Sequence, residues 1–416
     1  MASSEPKKTG LAKGTKLKCI AYEKWYDLCS LYTEKYEGTL SQAKFLKSPL
    51  SSETFNMKHR VSFSRNLKKF KEGKLKRIPT FRTKASITKP EKTLLIITGA
   101  SRGLGQSFAT NFVKTQIIES FKSPKQNHTL RALLLARSRE GLQETEYLMK
   151  QEFQKQITTN ATGPSIATAS INSNSKQKHN LMVTSHIIDL SNLETLEQNL
   201  QSIFSLVFNN DMVENGTDLK HDYKHSILVN NAGSIGHVGP LSAVSNLREM
   251  QQEIDFNVTS SLWVSTQFAK LSSSFHTQKS TIVNLSSLCA LQPFPTMGLY
   301  CTGKAARDMF HETLAHEHNQ DSQSPKKTKI KVLNYAPGAC DTKMQTFLRT
   351  SPYLDKKLNE SFHKMKSDET LVNPDDAAEK LVDLVWKGNF ANGAHIDYWD
   401  LKQPALSESI EKSEEV

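Results

Sequence analysis

From about Lys92 onward, short apolar runs rich in β-branched residues alternate with longer segments whose apolar positions recur at helical spacing. TLLIITGA reads as a buried strand running into a glycine turn, and SFATNFVKTQIIESF behind it as a helix. The alternation continues through LRALLLARS (strand), EGLQETEYLMKQEFQKQ (helix), LMVTSHIIDLS (strand), LETLEQNLQSIFSLVF (helix) and HSILVNNAGS (strand). TIVNLSS reads as another buried strand and YCTGKAARDMF as another helix. Strands that are apolar on both faces, separated by amphipathic helices, predict an α/β protein. Its architecture is a Rossmann-like, doubly wound parallel sheet with helices on both faces.

The polar stretches divide the rest. Residues 156–180 and 209–224 are low in hydrophobics and are expected to be solvated loop insertions in a catalytic domain spanning 93–400. Residues 401–416 end acidic, as SESIEKSEEV, and read as a flexible tail. Residues 1–92 do not look like a domain. They hold 22 of the 54 Lys and Arg residues but only 8 of the 42 Asp and Glu residues. The net charge of +12 is therefore a property of this leader, and it gives no reason to expect nucleic-acid binding by the main domain. The leader is read as a disordered extension, with a polyanion-binding arm and a mitochondrial presequence as the alternatives. Glu5, Glu23 and Asp27 count against the presequence. Five cysteines without CxxC or Cys/His ligand spacing predict free thiols in a reducing compartment, hence a cytoplasmic protein. The chain has no apolar run of membrane-spanning length.

Two segments carry chemistry. In the first, a strand delivers Gly99-Ala100-Ser101-Arg102-Gly103-Leu104-Gly105 to the start of a helix. Glycines there permit a tight turn and close backbone approach, and the unpaired amides of a helix N-terminus attract a pyrophosphate. The next strand ends Arg137-Ser138-Arg139, without the acid that would meet a free ribose 2′-hydroxyl. Arg137 and Arg102 instead suit a 2′-phosphate, so NADP(H) is predicted over NAD(H).

The second segment contains Ser287, Tyr300 and Lys304. Tyr300 and Lys304, four apart on a helix, share one face. An ammonium beside a phenol favours the phenolate, so Lys304 is expected to lower the Tyr300 pKa and tune it as an acid for carbonyl reduction. Ser287 could hydrogen-bond the same carbonyl oxygen. Tyr-x-x-x-Lys alone describes many amphipathic helix faces, so its neighbours must decide. His311, His316 and His318 have helical spacing but no carboxylate or cysteine constellation, which argues against a metal site.

TGASRGLG, Asp189-Leu190, Asn230-Asn231-Ala232-Gly233, Asn257, Ser287, Tyr300, Lys304 and Pro337-Gly338, in this order, resemble the short-chain dehydrogenases/reductases. The resemblance spans roughly residues 93 to 400. It implies that Tyr300 donates a proton, Ser287 orients the carbonyl and Lys304 also holds the nicotinamide ribose. Asn257 would position the lysine through water. Asn230, Ala232 and Gly233 would lie along the adenosine, and Asp189 would reach the adenine. NLSSLCALQPF, GLYCTGKAARDM, NYAPGACDTKMQ and GAHIDYWD are similar to pterin-reducing members of the family. That likeness implies a side-chain ketone on a pterin as substrate, a step of tetrahydrobiopterin synthesis, with Asp397 as the acidic pterin anchor. It also implies a homodimer through the helices carrying Asn257 and Tyr300.

Overall fold

The computed structural model describes residues 91–121, 127–161, 179–211, 223–274, 277, 279–320 and 330–401, together with Leu67 and Lys71. Backbone contacts divide the chain into Met1–Ile87 and Thr88–Val416. The expectations for the leader, for the middle of each insertion and for the tail beyond 401 lie outside the described residues.

Within the second unit, β1 (Glu91–Thr98), β2 (His128–Ala136), β3 (His179–Ile187), β4 (His225–Asn230), β5 (Lys279–Leu285), β6 (Ile330–Ala336) and β7 (His395–Asp397) form one sheet. Its order is β3-β2-β1-β4-β5-β6-β7, and every pairing is parallel. The predicted doubly wound sheet is therefore the observed one. Helices α1 (Gly103–Phe121), α2 (Arg139–Ala161) and α3 (Leu193–Asp211) join the first four strands.

Why the strands read as apolar on both faces is visible in β1. Leu95 and Ile97 point into a core with Phe108 and Phe112 of α1, whereas Leu94 and Ile96 point into a second core with Leu200 and Phe204 of α3. All four β1 side chains are fully buried, as the period-two alternation of a strand covered on both sides requires. Connections leave β1 toward one edge of the sheet and β4 toward the other. A crevice must open at their carboxyl ends, the place where such sheets bind ligands.

The second half supplies α4 (Leu247–Ile254), a π-helical turn (Asp255–Thr259), α5 (Ser260–Ser274) and α6 (Gly298–Gln320). It continues with α7 (Lys343–Thr350), α8 (Lys356–Ser367) and α9 (Pro374–Lys387). Helix α9 starts on an Asn373 cap with Pro374 in its first turn and stops at Gly388, which takes φ 67°. Lys279 and Lys331 donate to the carbonyls around that stop, Val385 at 2.8 Å and Gly388 at 2.9 Å. The chain then turns back into β7, which is only three residues long.

The insertion boundaries differ from expectation. Helix α2 continues to Ala161 and β3 begins at His179, so residues 156–161 are helical and 179–180 belong to a strand, inside the first expected insertion. Glu146 with Lys150 and Glu152 with Gln156, each one turn apart, support the helix through a polar stretch whose Phe153 and Ile157 pack against the core. Helix α3 likewise extends to Asp211, inside the second expected insertion.

Candidate active site

The glycine turn and the end of β4 pack directly together at the crevice. Gly99 and Gly103 take positive φ, 65° and 54°. Gly105 lies so close beneath the turn that a Cβ would sit 2.2 Å from the Gly99 carbonyl oxygen. Asn231 donates through Nδ2 to the carbonyls of Thr98 and Gly99, at 3.0 and 3.2 Å. Thr98 Oγ1 accepts from the amides of Asn231 and Ala232, both at 3.0 Å. The turn is thus built from two strands, with the N-terminal amides of α1 facing the crevice.

Asn230 stands behind this wall and does not line it. It is 1 % exposed, and its Nδ2 donates to Ser261 and Ser265 on α5 while its Oδ1 accepts from Thr98. Its expected contact with a dinucleotide is therefore corrected to a supporting role. Leu190 is also in the core, so only its backbone is available to a ligand. Ser138 Oγ caps α2 by accepting from the Gly141 amide at 3.1 Å. Arg137 and Arg102 are exposed near the same crevice. The Arg137 guanidinium lies 5.7 Å from the Phe256 ring centroid. It also influences Asp189, whose carboxyl burial would raise; hydrogen bonds from Ser191 and the Arg137 charge outweigh that and hold it below its ordinary value. On the far side, Gly338 follows β6 with φ 74° and packs against Val372 and Trp399.

Ser287 leaves β5 in extended conformation and caps a 3₁₀ turn, Leu288–Ala290, through the Cys289 amide. Tyr300 and Lys304 lie on the first two turns of α6 facing it. The Lys304 Nζ is 5.5 Å from the Tyr300 ring centroid and donates to the Leu285 carbonyl. Burial drives the electrostatics here. It pushes the Tyr300 phenol well above its usual range, reinforced by the Cys289 thiol, while Arg307 and the Ser287 hydroxyl act the other way. The expected lowering of Tyr300 by Lys304 is thus corrected. The lysine is itself pulled down to about 7, by burial first and by Arg307 second, which leaves it only partly charged at neutral pH.

Asn257 lies on the π-helical turn and is buried. Its Oδ1 accepts from the Ser234 amide at 2.8 Å, and its Nδ2 donates to Glu253 at 3.2 Å. Its side chain therefore fixes the loop after β4, and it abuts α6 where Gly303, next to Lys304, gives way.

Four contributors had no role in the sequence reading. Arg307, 1 % exposed, donates from Nε to Asn284 on β5 at 2.8 Å and from its two terminal nitrogens to the carbonyls of Ala232 (3.0 Å) and Asn230 (2.6 Å). Asp308 accepts from Asn284 at 2.9 Å and from Ser286 at 2.7 Å, and meets His395 of β7 at 2.7 Å. Gly141 lets α2 approach the glycine turn, since a Cβ there would lie 2.5 Å from the Ser101 carbonyl oxygen. Thr145, one turn on, donates to the Ala100 carbonyl at 2.8 Å. Their sequence signals were a helix-spaced Arg-Asp pair and a glycine one turn before a threonine.

Asp397 sits on β7 opposite Ala336 of β6, beside the strand that leads to Pro337-Gly338. It caps the 3₁₀ turn Tyr398–Asp400 reciprocally: its Oδ1 accepts from the Trp399 amide, and its own amide donates to Asp400.

Residues 219–352 match the short chain dehydrogenase family. The chain is 39 % identical over 176 residues to a sepiapterin reductase of Rattus norvegicus, covering 42 % of this chain and 63 % of that protein, just under two thirds of its length. A sepiapterin reductase of Bos taurus is 29 % identical over 310 residues, 74 % of this chain and 95 % of that protein. A benzil reductase ((S)-benzoin forming) of Bacillus subtilis is 32 % identical over 206 residues, 50 % of this chain and 77 % of that protein. The chain belongs to the short-chain dehydrogenase family. The family match contains Asn230 to Gly233, Asn257, Ser287, Tyr300 and Lys304, which the fold gathers at the carboxyl ends of β4 and β5, on the π-helical turn before α5 and on α6.

The lysine makes a pH prediction for the cofactor-free protein. Lys304 holds its proton up to its ordinary 10.5 when unfolded but only to about 7 when folded. Between those values the unfolded chain binds more protons, so this group makes unfolding free energy rise with pH. Relative to wild type, Lys304→Met should be most favoured at about pH 6 and lose that advantage by about pH 10 in urea unfolding. A pH-independent difference would contradict the buried, neutralised lysine.

Proposed function

We propose that the protein is an NADPH-dependent reductase of a side-chain ketone on a pterin, with Tyr300 as proton donor. What supports this most is the convergence of Ser287, Tyr300 and Lys304 in a chain 39 % identical to a sepiapterin reductase over 176 residues. The dinucleotide fits the crevice: the glycine turn leaves a backbone-lined cradle at the α1 N-terminus, and Arg102 and Arg137 are exposed beside it. In this reading Lys304 holds the nicotinamide ribose, the Ala232-Gly233 backbone lines the adenosine and Asp189 reaches the adenine. Arg137 and Arg102 hold the 2′-phosphate, which favours NADPH over NADH. Bound NADPH supplies the two electrons, delivered to the carbonyl carbon.

The residues of the chain do the rest. Ser287 Oγ–H donates to the carbonyl oxygen and aligns it. A phenol raised by burial keeps its proton at neutral pH, so Tyr300 can release it from Oη only when an alkoxide, a much stronger base, develops at hydrogen-bond distance. The positive charge of Arg307 and the residual charge of Lys304 favour both the phenolate left behind and the negative oxygen before it. Asp397 meets the pterin's amino and ring N–H donors as an acceptor-only carboxylate. Tyr398 and Trp399 follow it, and Trp399 is 63 % exposed beside Gly338, available to cover a planar ring.

A broader carbonyl reductase is the second reading, favoured by 32 % identity to a benzil reductase. A homodimer through the α4–α5 and α6 faces is supported by Leu247, Met250 and Met309, which are exposed there. No helix among the described residues is long and apolar enough to cross a membrane. Cys289, Cys301 and Cys340 are free thiols, in keeping with a cytoplasmic location.

NADPH oxidation by the full chain with sepiapterin and with benzil tests the assignment. Turnover of sepiapterin should exceed that of benzil, and Tyr300→Phe should lower kcat by about 10²–10⁴-fold while NADPH affinity changes little. Comparable activity in that variant would remove Tyr300 as the acid. Arg137→Asp should invert the ratio of kcat/KM for NADPH over NADH; an unchanged ratio would sink the 2′-phosphate assignment.

A further inference from the structure

Strand β7 is the weakest fastened part of the sheet: three residues, paired on one side only, at the sheet edge. Yet it carries Asp397, and an acid that docks a ligand must keep its distance from the proton donor. Along β7 the side chains of His395 and Asp397, two residues apart, project from the same face. His395 is held by a group on the catalytic helix. Its Nδ1–H donates to Asp308 Oδ2 at 2.7 Å, and Asp308 lies one helical turn beyond Lys304. Asp308 is 9 % exposed and is itself fixed from two other sides, by Asn284 Nδ2 of β5 at 2.9 Å and by Ser286 Oγ, the neighbour of Ser287, at 2.7 Å. The far nitrogen of His395, Nε2, is buried without a hydrogen-bond partner among the described residues, so the ring acts through Nδ1 alone.

We propose that the Asp308–His395 pair is a positioning device that sets the distance between Tyr300 and Asp397, and so selects substrates long enough to touch both. The inference rests on the reading of Asp397 as the pterin anchor. One helix, α6, then carries the proton donor, its lysine and, through Asp308 and His395, the anchor. A ligand that meets only the donor end feels nothing of this link, whereas one that spans to Asp397 depends on it. The specificity acts through geometry: a carboxylate displaced by about 1 Å loses a bidentate contact to a planar donor array.

The test is a comparison of two substrates in three variants of the full chain. His395→Leu removes the Nδ1 donor, His395→Asn keeps a donor near that position, and Asp397→Asn alters the anchor itself. Sepiapterin is the spanning probe, and benzil, which has no N–H donors to offer Asp397, is the probe that meets only the donor end. We expect His395→Leu to raise the KM and the equilibrium Kd of sepiapterin at least tenfold while leaving its kcat within about threefold and benzil kcat/KM within about twofold. His395→Asn should restore most of the sepiapterin affinity. Equal losses for both substrates in His395→Leu, or a sepiapterin Kd unchanged there while Asp397→Asn weakens it, would overturn the positioning role and leave the anchor standing. An Asp397→Asn variant with wild-type sepiapterin Kd would remove the anchor and the inference together. If His395→Leu does not fold, His395→Phe, which keeps an aromatic ring at that place but removes the Nδ1 donor, must give the same split between substrates, and its absence overturns the proposal.

Discussion

A guanidinium almost fully removed from water has to be met on every side by acceptors, and Arg307 is met by the ends of two strands. Its terminal nitrogens close on the carbonyls of Asn230 and Ala232, and its Nε closes on Asn284. The circuit then returns to its origin. Asn230 donates to Ser265, Ser265 bonds His311 at 2.8 Å, and His311 Nδ1–H donates to the Arg307 carbonyl at 2.7 Å. Burial holds His311 down to about 4, so it stays neutral with one nitrogen donating and the other accepting, as the circuit demands. Removing one partner from so buried a charge typically costs about 3–5 kcal/mol. Helix α6 therefore cannot slide along β4 and β5 without leaving that charge unmet.

This constraint links cofactor side to chemical side. The loop that Arg307 grips also carries the amides that bond Thr98 beneath the glycine turn. The helix that holds Arg307 carries Tyr300 and Lys304. Burial first and the guanidinium second leave Lys304 less charged than the sequence would give, while Arg307 stays charged at neutral pH. A second cation beside a buried lysine favours loss of its proton, and Arg307 itself is pulled down to about 10 by burial. Asp308, next in the chain, shares Asn284 of β5 with Arg307 and also meets His395 of β7, so two adjacent charged residues tie one helix to β4, β5 and β7.

The sheet was legible from sequence because both of its faces are covered, which turns each strand into an apolar run that no loop imitates. The glycine turn and the Ser287, Tyr300, Lys304 spacing were legible because each acts over a few neighbouring residues. Arg307 and Asp308 were not, since two charges on a helix of mixed polarity read as a solvated face. Their partners are long-range, with Ala232 lying 75 positions from Arg307. The direction of the Tyr300 shift was missed for a related reason. Spacing shows which charge stands beside a phenol but not how much water both have lost, and here desolvation wins. The overlong insertions came from taking polarity as absence of structure, where one-turn side-chain pairs on α2 sustain a helix. Asp397 in isolation looks like a tail carboxylate, and only the pairing of β7 with β6 brings it back to the sheet.

Between Tyr300 and Asp308, α6 packs a proton donor, a buried amine, a guanidinium and a carboxylate whose partners lie in different directions. A helix advances about 100° per residue, so inserting or deleting one residue in this segment would swing everything beyond it away from its partner. Substitution can alter any one of these four groups singly, but a change of length loses several at once. The segment behaves as a gear whose teeth must keep their count, and drift in its length is closed to this chain even where drift in its composition is not.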